Sequence, residues 1–271
     1  MTDSYDWVPE GVDVTVPDAS RVYDYALGGL HNFEVDREFW NRTETAFPGA
    51  GLVARANRAF LGRAVRWLSA RGVRQFLDIG SGIPTLGNVH EVAQEASPDA
   101  RVVYVDIDPI AVEQSRSLLA GNSYARVIQG DLRDPESILT HPEVLELLDF
   151  SRPVAVLTVA VLHFVPDSAG PRAIVERLGK ALAPGGYLVL SHIGPDDSPA
   201  GRAAQETVRR LYEGTPTPLV IRDPDEIAEI VGDAFEIVEP GVVAATDWHP
   251  DPDEADDPPQ PTALVAVARK R

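Results

Sequence analysis

The stretch QFLDIGSGIPTLGN, residues 75–88, contains the transition that decides the fold. An apolar run ends at Ile79, a glycine turn follows at Gly80-Ser81-Gly82, and a helical pattern begins near Leu86. A strand, a glycine turn and a helix N-terminus in this order bring backbone N–H groups and a strand-end carboxylate, here Asp78, close to a bound nucleotide-like ligand. We therefore expect the rest of the chain to build the sheet that carries this turn or to cover it.

Composition excludes several classes of protein. The chain has 271 residues, enough for a core that buries roughly 70–75% of the unfolded surface. It lacks an apolar run of membrane-spanning length, and its acidic N-terminus lacks the apolar centre of a secretory signal. The absence of cysteine excludes disulfides and cysteine nucleophiles and is consistent with a cytoplasmic protein. A net charge of −18 repels phosphate backbones, so we expect no nucleic-acid partner.

Strands alternate with helices after residue 73. The predicted strands are 75–79, 101–105, 125–129, 153–159, 186–192, 235–239 and 262–268. The predicted helices are 86–96, 109–120, 168–182 and 223–232, with a helical insertion at 199–213 and short turns at 135–148. The continuous apolar run PVAVLTVAVL is typical of a parallel strand that is buried on both faces. Helices between parallel strands predict right-handed crossovers, with helices on both faces of the sheet.

The C-terminal part follows a different pattern. The last two predicted strands are joined by TDWHPDPDEADDPPQP, residues 246–261, rather than by a helix. This segment is rich in proline and acid, which is typical of a mobile loop, and we predict no metal site in it. Strands joined without a crossover helix are usually antiparallel. The sequence therefore predicts an α/β sheet of five parallel strands and a terminal antiparallel hairpin.

The N-terminal part is predicted to be a helical lid. Residues 1–16 show no periodicity and are expected to form a disordered tail. Residues 17–72 show three helical patterns, the first capped by Asp18 or Ser20 and the last an amphipathic helix from about Leu52 to Ala70. We expect this lid to form one compact unit with the sheet domain at 73–271.

Acidic residues follow the first three predicted strands. Asp78 lies in the first strand, Asp106 ends the second, and Asp131 follows the third. Ligands of open α/β sheets bind at the carboxyl ends of the strands, where Asp106 could accept hydrogen bonds from ribose hydroxyls. A dinucleotide site prefers a third glycine where this chain has Thr85, and Asp78 would repel a pyrophosphate. A carboxylate at that position suits an ammonium or sulfonium ligand.

These motifs, in this order, resemble the class I S-adenosylmethionine-dependent methyltransferases. The matching segments are DIGSG, VDIDP, GDLRDP, VLHF and LAPGGYLVLSH. The N-terminal pattern P-x-x-x-R-x-Y-D-Y-x-L-G-G-x-x-N-F-x-x-D-R, residues 17–37, is similar to that of a bacterial family of S-adenosyl methyltransferases. The resemblance implies a Rossmann-like seven-strand sheet with S-adenosylmethionine as the cofactor. Many class I enzymes have a third glycine where this chain has Pro84, but the narrower family shares the proline.

The resemblance also implies roles for individual residues. Asp78, Gly80 and Gly82 would face the methionine half of the cofactor, Asp106 the ribose, and Asp131 the adenine. The segment from Thr158 to His163 would line the floor near the sulfonium. The full set of expected cofactor-binding residues is Asp78, Gly80, Ser81, Gly82, Asn88, Asp106, Ile107, Asp131, Leu132, Thr158, Ala160, Tyr23, Asn32 and Arg58.

The catalytic assignment leaves alternatives open. His163 leaves the fourth strand at the active edge, where it could act as a general base or merely line the pocket. Arg58 could pair with the methionine carboxylate, or it could lie on the surface. A small molecule is the expected methyl acceptor, sought near the lid, His163 and the 199–213 insertion. The rival functions are a non-catalytic cofactor-binding protein and an NAD-type oxidoreductase.

Overall fold

The computed structural model describes residues 8–9, 12–84, 87–252, 258, 260 and 262–271. Within them, an eight-stranded mixed sheet is flanked by helices on both faces. The strands are β1 (Gln75–Ile79), β2 (Arg101–Asp106), β3 (Ala125–Gln129), β4 (Ala155–Thr158), β5 (Tyr187–Ile193), β6 (Phe235–Ile237), β7 (Val243–Ala244) and β8 (Ala263–Lys270). The helices are α1 (Ala19–Ala26), α2 (Glu34–Ala46), α3 (Ala50–Ala70), α4 (Val89–Ala96), α5 (Pro109–Leu118), α6 (Pro135–Leu139), α7 (Pro142–Leu147), α8 (Pro171–Ala181), α9 (Pro199–Tyr212) and α10 (Pro224–Val231).

The sheet confirms the predicted architecture. Its order is β3-β2-β1-β4-β5-β8-β6, with β1 to β5 parallel and β8 antiparallel to both β5 and β6. The strand order reverses between β1 and β4, which is where open α/β sheets bind ligands. The two-residue strand β7 pairs with β8 and was not predicted, because two residues are too short to show a periodicity. The predicted turns at 135–148 contain the two short helices α6 and α7.

Side chains of β1 alternate between two cores. Leu77 and Ile79 belong to the core under α6, α7, α8 and α10. Phe76 belongs to the other core, which is covered mainly by α3 and α4. Because both faces of the strand are buried, its sequence is apolar almost throughout. This burial fixes the end of β1 rigidly, and with it the glycine turn.

Two predicted mobile segments contain packed residues. Val8, Val12 and Val14 lie in the predicted tail 1–16, yet they pack against a cluster that includes Phe33 and Ile110. Trp248 lies in the predicted loop 246–261 but is fully buried. The composition of both segments concealed these contacts, because single apolar residues among charged ones give no periodic signal. Residues 1–7, 10–11, 253–257, 259 and 261 lie outside the described residues.

Candidate active site

The glycine turn after β1 packs too closely against the loop after β4 to accept a side chain at its first position. Gly80 has a φ of 74°, and a Cβ there would lie 2.5 Å from Cγ2 of Val161. Left-handed backbone favours glycine, and the close contact requires it. Two residues later, the Gly82 N–H donates a hydrogen bond to Oδ2 of Asp106 at 2.7 Å. The turn is therefore tied directly to the end of β2.

Asp78 lies beneath this turn with an unusual environment. The residue is 5% exposed, and no hydrogen bond to its carboxylate is found among the described residues. Burial raises the pKa of the Asp78 carboxyl to about 7, although the nearby Arg58 guanidinium opposes the shift. A buried carboxylate without donors is costly in its charged form. We therefore expect a cationic ligand group to interact favourably with the Asp78 carboxylate.

Asp106 is held by two backbone amides. Its Oδ1 accepts a hydrogen bond from Asp108 N at 2.9 Å, in addition to the bond from Gly82 at Oδ2. Burial raises the pKa of the Asp106 carboxyl to about 7, because it outweighs these two bonds, and the nearby Asp18 and Asp108 raise it further. Each carboxylate oxygen has a second lone pair and can accept another hydrogen bond. The side chain is thus fixed in orientation and still able to bind hydroxyl groups.

Asp131 at the end of β3 is paired with Arg133. The Arg133 Nη2 lies 2.6 Å from Asp131 Oδ2, and its Nε contacts both carboxylate oxygens at 2.9 Å. Burial alone would raise the pKa of Asp131, but hydrogen bonds from Arg133 and its charge outweigh burial, so the net pKa is lowered. Asp131 therefore stays ionised at neutral pH, whereas Asp78 and Asp106 titrate near it.

The pKa values of Asp78 and Asp106 predict proton release on cofactor binding. Both pKa values are raised in the folded protein, so these groups stabilise the ligand-free fold at low pH, and this contribution is lost as the pH rises through about 7. A ligand that pairs with the ionised carboxylates lowers their pKa. We expect S-adenosylhomocysteine to release about one to two protons at pH 6 and to bind more tightly at pH 8.

Calorimetry in buffers of different ionisation enthalpy measures this release. The variant Asp78→Asn should remove about one proton from it. Affinity that is independent of pH between 6 and 8, with no proton release, would contradict the role of the two acids.

These acids open onto one cavity of about 280 Å³. Its wall combines residues from the ends of β1 to β4 with residues from α1, α2, α3 and α9. Twelve residues that the sequence predicts for the site line it: Tyr23, Arg58, Asp78, Gly80, Ser81, Gly82, Asp106, Ile107, Asp131, Leu132, Ala160 and His163. The structure therefore brings together residues that are up to 140 positions apart, from Tyr23 to His163.

Three predicted cofactor residues do not line this cavity. The amide of Asn32 donates to Asp24 Oδ2 and to Gly29 O, which holds the turn between α1 and α2. Asn88 caps α4 and accepts a hydrogen bond from Arg58 at 3.2 Å. Thr158 is fully buried within the sheet, where its hydroxyl donates to Val189 O. Their polar groups form hydrogen bonds within the fold, so their contact with a cofactor stays a prediction.

The N-terminal motif has a structural explanation. Asp24 accepts hydrogen bonds from His31 N and from the Asn32 amide, both at 2.9 Å. A Cβ at Gly29 would lie 2.0 Å from Oδ1 of Asp24, so only glycine fits beside this carboxylate. Arg37 in turn donates to both the backbone and side-chain oxygens of Asn32. Asp24, Gly29, Asn32 and Arg37 of this motif thus build the α1–α2 turn, whereas Tyr23 lines the cavity.

Several cavity residues were missed at the sequence level. Asn57 lines the cavity between Tyr23 and Arg58, and its amide nitrogen donates to the Tyr23 hydroxyl at 2.8 Å. His192 also lines the cavity, and its Nε2 accepts a hydrogen bond from Arg222 at 2.8 Å. Four aromatic residues complete the wall: Trp40, Phe47, Phe164 and Tyr212. For Trp40 on α2 and Tyr212 on α9, helical periodicity indicates only a buried position, since a cavity wall and a core face have the same pattern.

A family model for S-adenosyl methyltransferases matches residues 5–271. The chain belongs to the S-adenosyl methyltransferase family. The methyltransferase fold, the edge that carries Asp78 and Asp106, and S-adenosylmethionine as the methyl donor agree with this membership. The NAD-type alternative is thereby wrong.

Solved structures support the assignment. A DUF574 family protein from Streptomyces avermitilis is 39% identical, with 96% of this chain and 99% of that chain covered and a TM-score of 0.89. A candidate methyltransferase from Thermobifida fusca is 41% identical, with 98% and 99% covered and a TM-score of 0.88. The comparison with curated proteins gives no match.

The residues of this methyltransferase fit its methyl donor. The Ser81 hydroxyl in the glycine turn is buried and has no hydrogen-bond partner within the described part of the chain, and Gly82 faces open space. Ile107, which follows Asp106, is 47% exposed and lines the cavity. A polar turn, an acid and an exposed apolar side chain match the amino acid, ribose and adenine parts of the donor, respectively.

In the described ranges, no helix has the length and apolarity needed to cross a membrane.

Proposed function

We propose that this methyltransferase transfers the methyl group of S-adenosylmethionine to a small organic acceptor held in the cavity. One observation carries the proposal: the glycine turn and the acids of β1, β2 and β3 open onto the same cavity as the aromatic residues of α2 and α9. Donor and acceptor could therefore occupy one space with little water between them. The net charge of −18 disfavours nucleic acid as the acceptor.

Residues of the sheet edge would hold the donor. Asp78 would pair with the ammonium group of the donor, and Arg58 would pair with the donor's carboxylate. The two side chains lie close enough to interact electrostatically, so they could bind neighbouring groups of one ligand. Asp106 would accept hydrogen bonds from the ribose hydroxyls. The adenine would pack between Ile107 and Leu132, with the Asp131–Arg133 pair beside its amino group. Tyr23 and Ser81 would complete the binding site, and the lid formed by α1 to α3 would exclude water.

The chain would promote methyl transfer by holding the donor and the acceptor in position rather than by forming a covalent intermediate. A bound sulfonium supplies a methyl group that is already activated, so orientation and exclusion of water can provide roughly 7–11 kcal/mol of the barrier reduction. Ala160 helps to fix the acceptor side, because its left-handed φ of 58° is held by a hydrogen bond from its N–H to Ser191 Oγ at 2.8 Å. This turn places His163 in the cavity wall, where it would contact the acceptor.

Two measurements test the proposed function in sequence. Calorimetry should show S-adenosylhomocysteine binding with one site per chain and no binding of NADH. Incubation with donor labelled at the methyl group and a panel of small acceptors should then transfer label to an extracted product. Binding without any transfer across the panel would favour the non-catalytic alternative. Failure to bind S-adenosylhomocysteine would overturn the proposal.

A further inference from the structure

The His163 side chain is buried, with 6% of its surface exposed. Among the residues that the structure describes, its Nδ1 has no hydrogen-bond partner, and no acid is among the groups that act on its pKa. The titratable and charged groups that act on it are His192 and Arg222. Arg222 is itself buried and donates to His192 Nε2, to two backbone carbonyls and to Asp167, whose exposed carboxylate lies 2.7 Å from the guanidinium. The Nδ1 of His192 donates to Ile193 O, so this imidazole is held neutral with both nitrogens occupied.

This environment opposes a proton on the His163 imidazole. A histidine base normally has its second nitrogen oriented by a carboxylate or carbonyl, and its pKa lies near the working pH. Here burial lowers the pKa of His163 well below its usual value, and the positive charge of Arg222 lowers it further. Protonation would also leave a buried Nδ1–H without an acceptor, next to a guanidinium. His163 is therefore a poor acceptor for a proton from a hydroxyl group.

The rest of the cavity wall favours flat, uncharged molecules. Phe164 and Tyr212 lie 5.5 Å apart between ring centroids, at an angle of 37°, and Phe39 contacts Tyr212 edge-to-face at 4.8 Å. The Gln205 amide is occupied by Asp196 N and Gly194 O, so it offers little to a ligand. The charged side chains of the wall are four carboxylates and two guanidinium groups: Asp18, Asp78, Asp106, Asp131, Arg58 and Arg133.

This charge distribution selects against an anionic acceptor. Asp18, at the start of α1, acts electrostatically on both Asp106 and Tyr212. The negative potential of the carboxylates therefore extends to the part of the wall formed by the aromatic residues. Burial raises the pKa of the Tyr212 hydroxyl, and Asp18 raises it further. A phenolate or carboxylate would meet the same repulsion. A neutral ring would not, and a cationic product would be stabilised by the carboxylates and the aromatic faces.

We propose that the acceptor is an uncharged N-heteroaromatic molecule that is methylated on a ring nitrogen, with neutral His163 as a positioning residue. The proposal rests on the proposed function. The nitrogen lone pair forms the new N–CH₃ bond while the S–CH₃ bond breaks, and the electron pair of that bond stays on sulfur. The positive charge moves from sulfur to the ring nitrogen, and no proton is transferred. No base is then needed, in agreement with the surroundings of His163.

Three two-ring probes of matched shape test the acceptor class: isoquinoline, 2-naphthol and 2-naphthoate. They are titrated into protein saturated with S-adenosylhomocysteine, and label transfer from S-adenosylmethionine is then measured. We expect isoquinoline to bind at least tenfold more tightly than 2-naphthoate and to be the probe that acquires label. Label on 2-naphthol, or no binding of isoquinoline to the saturated protein, would overturn the inference. Because saturation is measured first, failure of the proposed function is seen separately, as absent S-adenosylhomocysteine binding.

The variant His163→Gln separates positioning from base catalysis. Glutamine keeps a neutral hydrogen-bonding group, so we expect kcat for isoquinoline to fall less than tenfold, KM to rise, and the pH profile between 6 and 9 to keep its shape. His163→Ala should raise KM further, and His141→Gln, at the start of α7, serves as a control. A general base would instead lose roughly 10²–10⁴-fold in kcat in both His163 variants, together with one limb of the profile. That result would assign proton removal to His163 and overturn the inference.

Discussion

Replacing Asp36 by alanine is expected to lower the free energy of unfolding by about 3–5 kcal/mol, because it leaves a buried guanidinium without its counter-ion. Asp36 is fully buried, and its Oδ2 lies 3.4 Å from Nε of Arg21, which is 3% exposed. The same carboxylate accepts hydrogen bonds from Phe33 N and Asp18 N at 2.9 and 3.0 Å. Asp36 thus connects the start of α1 to the start of α2. Chemical denaturation of the variant and the parent protein measures the loss.

Two further variants identify the cause of this loss. Glu113→Ala removes one side of the exposed Glu113–Arg116 pair on α5 and should change stability by less than about 1 kcal/mol. The double variant Arg21→Met with Asp36→Leu removes both buried charges and should recover a substantial part of the stability, because the uncompensated guanidinium is gone. Equal losses in Asp36→Ala and Glu113→Ala would show that the buried pair has no special role.

The fold was predictable because its signals are local. The continuous apolar strands, the glycine turn at Gly80 and the Asp108–Pro109 helix start each depend on neighbours within a few residues. Asp108 caps α5 through a hydrogen bond from Ile110 N to its Oδ1 at 3.1 Å. The strand-end acids were also predictable, since parallel strands place their carboxyl ends at one edge. Local pattern therefore sufficed for the five parallel strands and for bringing the strand-end acids to one cavity.

The acceptor half was only located in outline, because its contacts are distant in sequence. The sequence indicated the lid, His163 and the 199–213 insertion, and residues from all three do line the cavity. It gave no sign that Arg222 would pair with His192, or that Tyr212 would pack between Phe39 and Phe164. Such pairs depend on how α9 and the segment before α10 close over the sheet. The groups around His163 determine whether it can accept a proton. They are brought there only by the packing of α9 and of the segment before α10 over the sheet.

The substitution Asp106→Ala is expected to weaken binding of S-adenosylhomocysteine by roughly 100-fold or more. The proposed ribose contact consists of two charge-assisted hydrogen bonds, each contributing about 1.5–3 kcal/mol, and a tenfold change corresponds to about 1.4 kcal/mol. The substitution also frees the Gly82 amide, so the glycine turn loses its connection to β2. Asp106→Asn keeps one acceptor oxygen and should show an intermediate loss. Calorimetric titration at pH 8, where the wild-type carboxylate is ionised, measures the difference.

A matched control for this substitution lies at Asp149. Its Oδ1 accepts a hydrogen bond from the N–H two residues later, Ser151, just as Asp106 Oδ1 accepts one from Asp108, but Asp149 is exposed and lies outside the cavity wall. Asp149→Ala should therefore bind S-adenosylhomocysteine like the parent protein. Circular dichroism confirms that both variants are folded before the titration. If folded Asp106→Ala bound with unchanged affinity, the carboxylate would not contact the ribose, and the donor would have to lie elsewhere along the sheet edge.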